Sequence, residues 1–348
     1  MPGGRLVTDA PERSGNGPDF THVPVMRGEV VEWFRPVPPG WIIDATLGGA
    51  GHARAVLDAH PHLSVLGIDR DPAAVQAATD RLAPYGDRAR VVRARFDELA
   101  GVARDLDVSG VLFDLGVSSV QFDQAERGFS YRADAPLDMR MDPTSGLSAA
   151  DLLATASVDE ISRILRDYGD ERFAFRIAQS IVRERNDGSP VRTTSHLVQL
   201  VTASIPAATR RTGGHPAKRT FQAIRIAVNG ELDVLAPALD AAIDALLPDG
   251  RLVVISYHSG EDRIVKERIR LAETGGCTCP PGLPCTCGAL PRGRALRRSV
   301  TRPSEAEAAV NRRASSALAR VFLKSSSASS AHTPDANAEQ SANRGVRR

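Results

Sequence analysis

Three carboxylates each close an apolar run. W-I-I-D-A-T (41 to 46) turns at Asp44, V-L-G-I-D-R (65 to 70) at Asp69, and G-V-L-F-D-L-G (110 to 116) at Asp114. Short apolar runs bounded by turn residues read as buried strands. A strand that stops at an acid and a glycine turn sets that acid at the edge of its sheet. After Asp44 come Gly48, Gly49 and Gly51, which allow backbone to approach a ligand closely. Asp69 stands about twenty residues further on, where an acid commonly binds ribose hydroxyls. Phe96 ends the run R-V-V-R-A-R-F as a flat apolar wall. Taken alone, Asp114 reads as a turn acid or helix cap; beside Asp44 and Asp69 at one sheet edge, it reads as a ligand or reaction carboxylate.

A dinucleotide site needs G-x-G-x-x-G opening its first helix, so that the helix N-terminus meets a pyrophosphate. This chain has G-G-A-G-H preceded by an acid, which argues against a nicotinamide dehydrogenase. The pattern suits a ligand with ribose, adenine and a cationic amino-acid portion but no phosphate, namely S-adenosylmethionine. Beyond Asp114, P-L-D-M-R-M-D offers Asp138 as a proton acceptor and Arg140 as a phosphate ligand, though an ion pair within the run explains the alternation equally well. His52 and His258 each have several readings: helix cap, pocket wall or quiet packing. All four cysteines, Cys277, Cys279, Cys285 and Cys287, fall in C-T-C-P-P-G-L-P-C-T-C-G. Thiols packed this closely in an intracellular chain suggest metal before disulfide. The C-x-C pairs are less diagnostic of zinc than C-x-x-C, so structural zinc and free thiols both stay open.

The elements that must position these groups alternate. Strand-like runs at 41 to 46, 65 to 70, 90 to 96 and 110 to 116 are separated by helix-like segments such as P-A-A-V-Q-A-A-T-D-R-L, the pattern of a parallel sheet built from βαβ units. A fifth such run, R-L-V-V-I-S-Y-H (251 to 258), follows only after a long helical insert. In the last helix of the insert, Phe221, Ile224, Val228, Leu232 and Leu235 form a core face. Lys218, Gln222, Arg225 and Asn229 form a polar stripe beside it, either solvated or suited to phosphate and base contacts. We expect disordered tails at 1–20 and 325–348, sheet-domain segments at 21–140 and 231–324, and a substrate-recognition insert at 141–230. The net charge of +2 says little about partners, but Arg292, Arg294, Arg297, Arg298 and Arg302 cluster without an intervening acid and can hold phosphates. The chain has no apolar run of about 18 residues and no secretory signal at its start, and a cytoplasmic protein without a membrane partner is expected.

The strings D-A-T-L-G-G-A-G-H, D-L-G-V-S-S-V-Q, E-R-G-F-S-Y, P-L-D-M-R-M-D, Y-G-D-E-R-F-A, H-P-A-K-R-T-F-Q-A-I-R-I-A-V-N-G-E-L and S-Y-H-S-G-E-D-R-I-V-K occur in this order between about His22 and Lys324. In these the sequence resembles the ribosomal RNA small subunit methyltransferase H family, also called MraW. The resemblance implies an α/β class I methyltransferase, a Rossmann-like, mostly parallel doubly wound sheet with an inserted helical domain. It further implies transfer of a methyl group from S-adenosylmethionine to N4 of a cytidine in the decoding region of small-subunit RNA. The residues it implies at the cofactor are Ala50, Gly51, His52, Asp69, Phe96, Asp114 and Gln121, with the insert facing RNA. Asp114 is the expected catalytic residue, with Asp138 and His258 as further candidates. Other readings are an amino methyltransferase acting on DNA and an assembly factor with little turnover. The chain departs from the family pattern at Val120, usually Pro, and at Gly260, usually Leu, where a glycine is expected to loosen the turn around His258.

Overall fold

Alternating apolar residues on five strands bury both faces of one sheet. The computed structural model describes residues 23–326 except 118–120, 122–123, 211–213, 281–284, 298–299 and 312. Strands β1 (Gly40–Asp44), β2 (Leu63–Asp69), β3 (Ala89–Arg93), β4 (Val108–Asp114), β5 (Leu246–Ser256), β6 (Gly293–Ala295) and β7 (Leu318–Lys324) lie in the order β3-β2-β1-β4-β5-β7-β6. The first five run parallel, and β7 is antiparallel to both β5 and β6. Neighbouring residues serve opposite layers, as strand geometry requires. Ile42, Leu112 and Val253 pack against Phe34, Val56 and Leu82, whereas Ile43, Phe113 and Val254 pack against Leu99, Leu239 and Ile269. Helices on both faces make these strands read as near-continuous apolar runs. Strand order reverses between β1 and β4, so the crevice beyond their carboxyl ends is the expected ligand position in such a sheet.

Between β4 and β5 the chain builds a separate helical core. Its main helices are Ala149–Thr155, Val158–Gly169, Ala174–Asn186, Thr194–Ser204 and Lys218–Asn229. Ser148 with Asp151 and Ser157 with Glu160 form reciprocal capping boxes that start the first two. A Cβ on Gly169 would stand 2.6 Å from the carbonyl oxygen of Arg219, so the glycine lets helices Val158–Gly169 and Lys218–Asn229 cross closely. The unit begins earlier than its helical periodicity suggests. Phe129, Leu137 and Met139, in irregular chain before 141, are part of its core.

The last helix of the insert is also shorter than expected. Gly230 takes a left-handed conformation with φ of 60° and ends it after Asn229. Phe221 and Ile224 are buried in the insert as anticipated, but Leu232 and Leu235 pack against the sheet layer instead. β3 likewise stops at Arg93, and Phe96 opens a short 3-10 turn rather than closing the strand.

Candidate active site

The glycine loop after β1 is tied to the end of β2. Leu47 donates its N–H to the carbonyl of Ile68 at 3.0 Å, and Gly48 donates to Oδ2 of Asp69 at 2.9 Å. The other carboxylate oxygen of Asp69 accepts the N–H of Asp71 at 2.9 Å. Gly48 has φ of 50°, and Ala50 holds φ of 57°, a left-handed conformation that costs a non-glycine residue about 1–2 kcal/mol. Such strain clusters at ligand clamps. Ala50 is the N-cap of helix Gly51–Ala59, which carries His52 into the interior.

Asp44 is buried below this loop. Burial pushes its carboxyl up from the ordinary 3.8 to about 7; the charge of His52 and the N–H of Thr46 act in the opposite direction, and the carboxylates of Asp114 and Asp69 push it further up. Between the unfolded and folded values the native state therefore holds more protons than the unfolded chain, so stability falls as pH rises from about 4 to about 7 and levels off above. Asp44→Asn has no such proton to lose. We expect its unfolding free energy, from urea titration, to gain on wild type between pH 5 and pH 8 by an amount on the order of a few kcal/mol. An equal pH response in the two proteins would show that Asp44 does not titrate in this window.

Asp114 stands at the centre of the edge. Its Oδ1 accepts the Tyr257 hydroxyl at 2.6 Å, and Oδ2 faces Nε2 of His52 at 3.5 Å. Its N–H donates to Oγ1 of Thr46 at 2.7 Å. The carboxylate keeps 24% of its side-chain surface exposed, so it is held but reachable. Burial first, then the charge and hydrogen bond of Asp114, hold the Tyr257 hydroxyl well above its usual pKa. Tyr257 thus remains an O–H donor and Asp114 an acceptor. Sequence spacing does not single out Tyr257. Its signal is positional, because Ile255 pairs with Asp114 in register on the neighbouring strand.

The remaining expected residues divide. Phe96 meets Phe113 edge to face at 5.7 Å between ring centres, which fixes it beside the sheet edge. Gln121 is buried and donates to Oδ2 of Asp71 at 3.1 Å. Arg127 joins that same oxygen at 3.0 Å, and neither Asp71 nor Arg127 was anticipated. Asp138 and Arg140 form a bidentate pair, 2.8 and 2.7 Å, through the guanidinium Nε and Nη2. Burial would raise the Asp138 carboxyl, but the bonds and charge of Arg140 outweigh it and hold the group below its usual range. The internal ion pair is therefore the reading the geometry favours over an available base and a free phosphate ligand.

His258 caps helix Ser259–Thr274, its ring accepting the N–H of Glu261 at 3.4 Å while Glu261 accepts the N–H of Tyr257 at 2.8 Å. These bonds close the turn around Gly260, while Nε2 of His258 has no hydrogen-bond partner among the described residues. Val120 lies outside the described residues, as do Ser118 and Ser119. The polar stripe is not an open face. Asn229 is buried, binding the N–H of Met141 and the carbonyl of Met139 at 2.8 and 2.7 Å. Arg225 forms a bidentate pair with Glu231 at 2.9 Å, and Gln222 donates to the carbonyl of Tyr168 at 3.3 Å. Only Lys218 of the four is exposed. Long polar side chains on a helix next to its core face can anchor adjacent loops as readily as they face solvent, and periodicity does not distinguish the two. The four cysteine sulfurs lie within 4.8 Å of one another.

The edge therefore combines a strained glycine-rich turn, the Asp69 carboxylate, the Phe96 wall, and a buried His52 whose ring nitrogens have no hydrogen-bond partner among the described residues. These groups fit a nucleoside carrying a cationic amino-acid tail. With the 3-2-1-4-5-7-6 sheet and its antiparallel seventh strand, they define a class I S-adenosylmethionine-dependent methyltransferase. The chain belongs to the MraW methylase family, whose model matches residues 19–325. It is 50% identical over 311 residues to the ribosomal RNA small subunit methyltransferase H of Heliobacterium modesticaldum, covering 88% of this chain and 99% of that protein. The protein of the same name from Thermobifida fusca is 52% identical over 325 residues, 91% of this chain and 97% of its own.

Proposed function

We propose that this enzyme methylates N4 of a cytidine in small-subunit ribosomal RNA, in the decoding region and in the cytoplasm. The observation that carries the reading is the Asp114 carboxylate, held by Tyr257 and still reachable, at the reversal point of a sheet whose family relatives carry that name. S-adenosylmethionine, when bound, supplies the electrophilic methyl group. Ala50, Gly51, His52, Asp69, Phe96 and Gln121 are the residues that would hold it.

An exocyclic cytosine amine is a weak nucleophile because its lone pair is delocalised into the ring. Asp114 can accept one amine N–H, draw the lone pair out of conjugation with the ring and meet the positive charge that develops on nitrogen. The Tyr257 hydroxyl fixes which carboxylate oxygen is left to do so. Orienting amine and donor in one geometry contributes up to roughly 7–11 kcal/mol in favourable intramolecular cases. Asp138, already paired, and His258, already capping a helix, are weaker candidates for the proton.

Incubation with methyl-labelled S-adenosylmethionine and small subunits lacking the modification should yield N4-methylcytidine at one position, read by nucleoside mass spectrometry. Unlabelled RNA from a protein that binds the cofactor would defeat the assignment.

The cysteine cluster adds a structural zinc to this reading, since four thiolates at tetrahedral reach are a closed, non-catalytic set. Purified protein should contain about one zinc per chain by elemental mass spectrometry, and Cys277→Ser with Cys285→Ser should lose it. Metal-free protein with four freely alkylated thiols would remove zinc from the account.

A further inference from the structure

The expected RNA stripe is largely tied up in internal bonds, yet a cation-rich hollow lies one side chain from the reaction carboxylate. Tyr257, whose hydroxyl binds Asp114, also lines a cavity of about 450 Å³ together with His258, Arg263, Lys266, Arg302 and Ser316. That volume is within the roughly 300–1,000 Å³ typical of small-ligand sites. Arg263 and Lys266 rise from the first two turns of helix Ser259–Thr274, and Arg302 arrives from the arginine cluster beyond β6. All three are exposed, and none has an ion-pair partner among the described residues. The acid in the lining, Asp262, is neutralised by a bidentate pair with Arg320 at 2.7 and 3.0 Å. Elsewhere in the arginine cluster Arg292 is paired with Asp244 at 2.6 Å, whereas Arg302, the cluster residue that lines the cavity, has no such partner among the described residues.

We propose that this cavity seats the RNA backbone adjoining the target base, with Arg263, Lys266 and Arg302 holding its phosphates. The proposal rests on the reading that RNA is the substrate. Phosphate contacts fix the register of a nucleic acid without specifying sequence. Here they would set the position of the chain so that the neighbouring base reaches Asp114, past Tyr257. The helical insert then borders this path rather than supplying the main grip: Ser259 hydrogen-bonds Asp170 of the insert at 3.2 Å, beside the cavity.

The test uses the full chain carrying Arg263→Ala, Lys266→Ala and Arg302→Ala together, and a companion with Arg263→Lys, Lys266→Arg and Arg302→Lys. RNA binding is followed by fluorescence anisotropy across a salt series, using a single-stranded oligonucleotide of the small-subunit decoding sequence. Three lost phosphate contacts should flatten the slope of log K against log salt by about 2, at roughly 0.7 per contact on single strands. KM for RNA should rise at least about tenfold, far more than kcat falls, while cofactor affinity by calorimetry holds and the charge-retaining companion recovers most of the slope. An unchanged slope and KM in the alanine variant would overturn the proposal. If wild-type protein methylates no RNA, the substrate reading falls separately, and the same slope comparison on generic single-stranded RNA still decides whether the cavity binds phosphate.

Discussion

Asp114→Ala should reduce methyl transfer by about 10²–10⁴-fold, the range seen when a positioned acid–base or charge-stabilising group is removed. The expected loss is in kcat. In the proposed mechanism Asp114 faces the amine as positive charge develops on it, and the alanine variant has nothing at that point to accept an N–H or oppose the charge. The fold should survive, because the carboxylate lies at a strand end, partly exposed, and its main-chain N–H still binds Thr46. What is left behind is the Tyr257 hydroxyl without its acceptor, a cost of about 1–3 kcal/mol. Tyr257→Phe separates the two roles. It keeps the carboxylate and releases its orientation, so we expect a smaller loss than in Asp114→Ala, with recovery of none of the hydroxyl's effect by added salt. Rates from single turnovers, with thermal melting and cofactor affinity as controls, decide the matter. Full activity in a folded Asp114→Ala protein would remove the residue from the mechanism.

Asp44, Asp69 and Asp114 are legible in the residue pattern because each closes an apolar strand, and parallel strands deliver their carboxyl ends to one edge. The order of the strands adds the reversal point but moves none of these acids. Tyr257 cannot be found in that way. It follows a strand more than a hundred residues later, and only the pairing of Ile255 with Asp114 brings it to the carboxylate. The stripe on helix Lys218–Asn229 is legible as geometry and misleading as chemistry. Spacing correctly puts Gln222, Arg225 and Asn229 along one side, but the loop at Met139–Met141, Tyr168 and Glu231 come to that side through the tertiary fold. Polar residues satisfied by distant backbone look the same in sequence as polar residues satisfied by water. Phe96 illustrates a milder limit: its place beside the sheet edge is readable, while the strand's end three residues earlier depends on the start of a 3-10 turn.

The second large effect is expected at Asp71, which does no chemistry. Its side chain is fully buried and makes three bonds. Oδ1 caps helix Pro72–Leu82 through the N–H of Ala73 at 3.0 Å, and Oδ2 accepts Gln121 at 3.1 Å and Arg127 at 3.0 Å. Arg127 in turn donates to the carbonyls of Arg140 and Met141 at 2.9 and 3.0 Å, so one carboxylate links the end of β2 to the entrance of the insert. Loss of a helix cap alone costs about 1 kcal/mol. Asp71→Ala also leaves the Arg127 guanidinium, 12% exposed, without a counter-charge, and breaking a buried pair from one side typically costs about 3–5 kcal/mol. We therefore expect a destabilisation of about 3–5 kcal/mol in urea denaturation. Arg127→Met in the same background should return part of it, because the stranded charge is then gone; coupling between the two sites is what a double-mutant cycle measures. A loss near about 1 kcal/mol with no coupling would mean that Arg127 turns to solvent and that the carboxylate serves only as a cap. A coupled loss carries a functional consequence as well. Gln121 is held by the same oxygen, so Asp71→Ala should weaken S-adenosylmethionine binding even at temperatures where the variant remains folded.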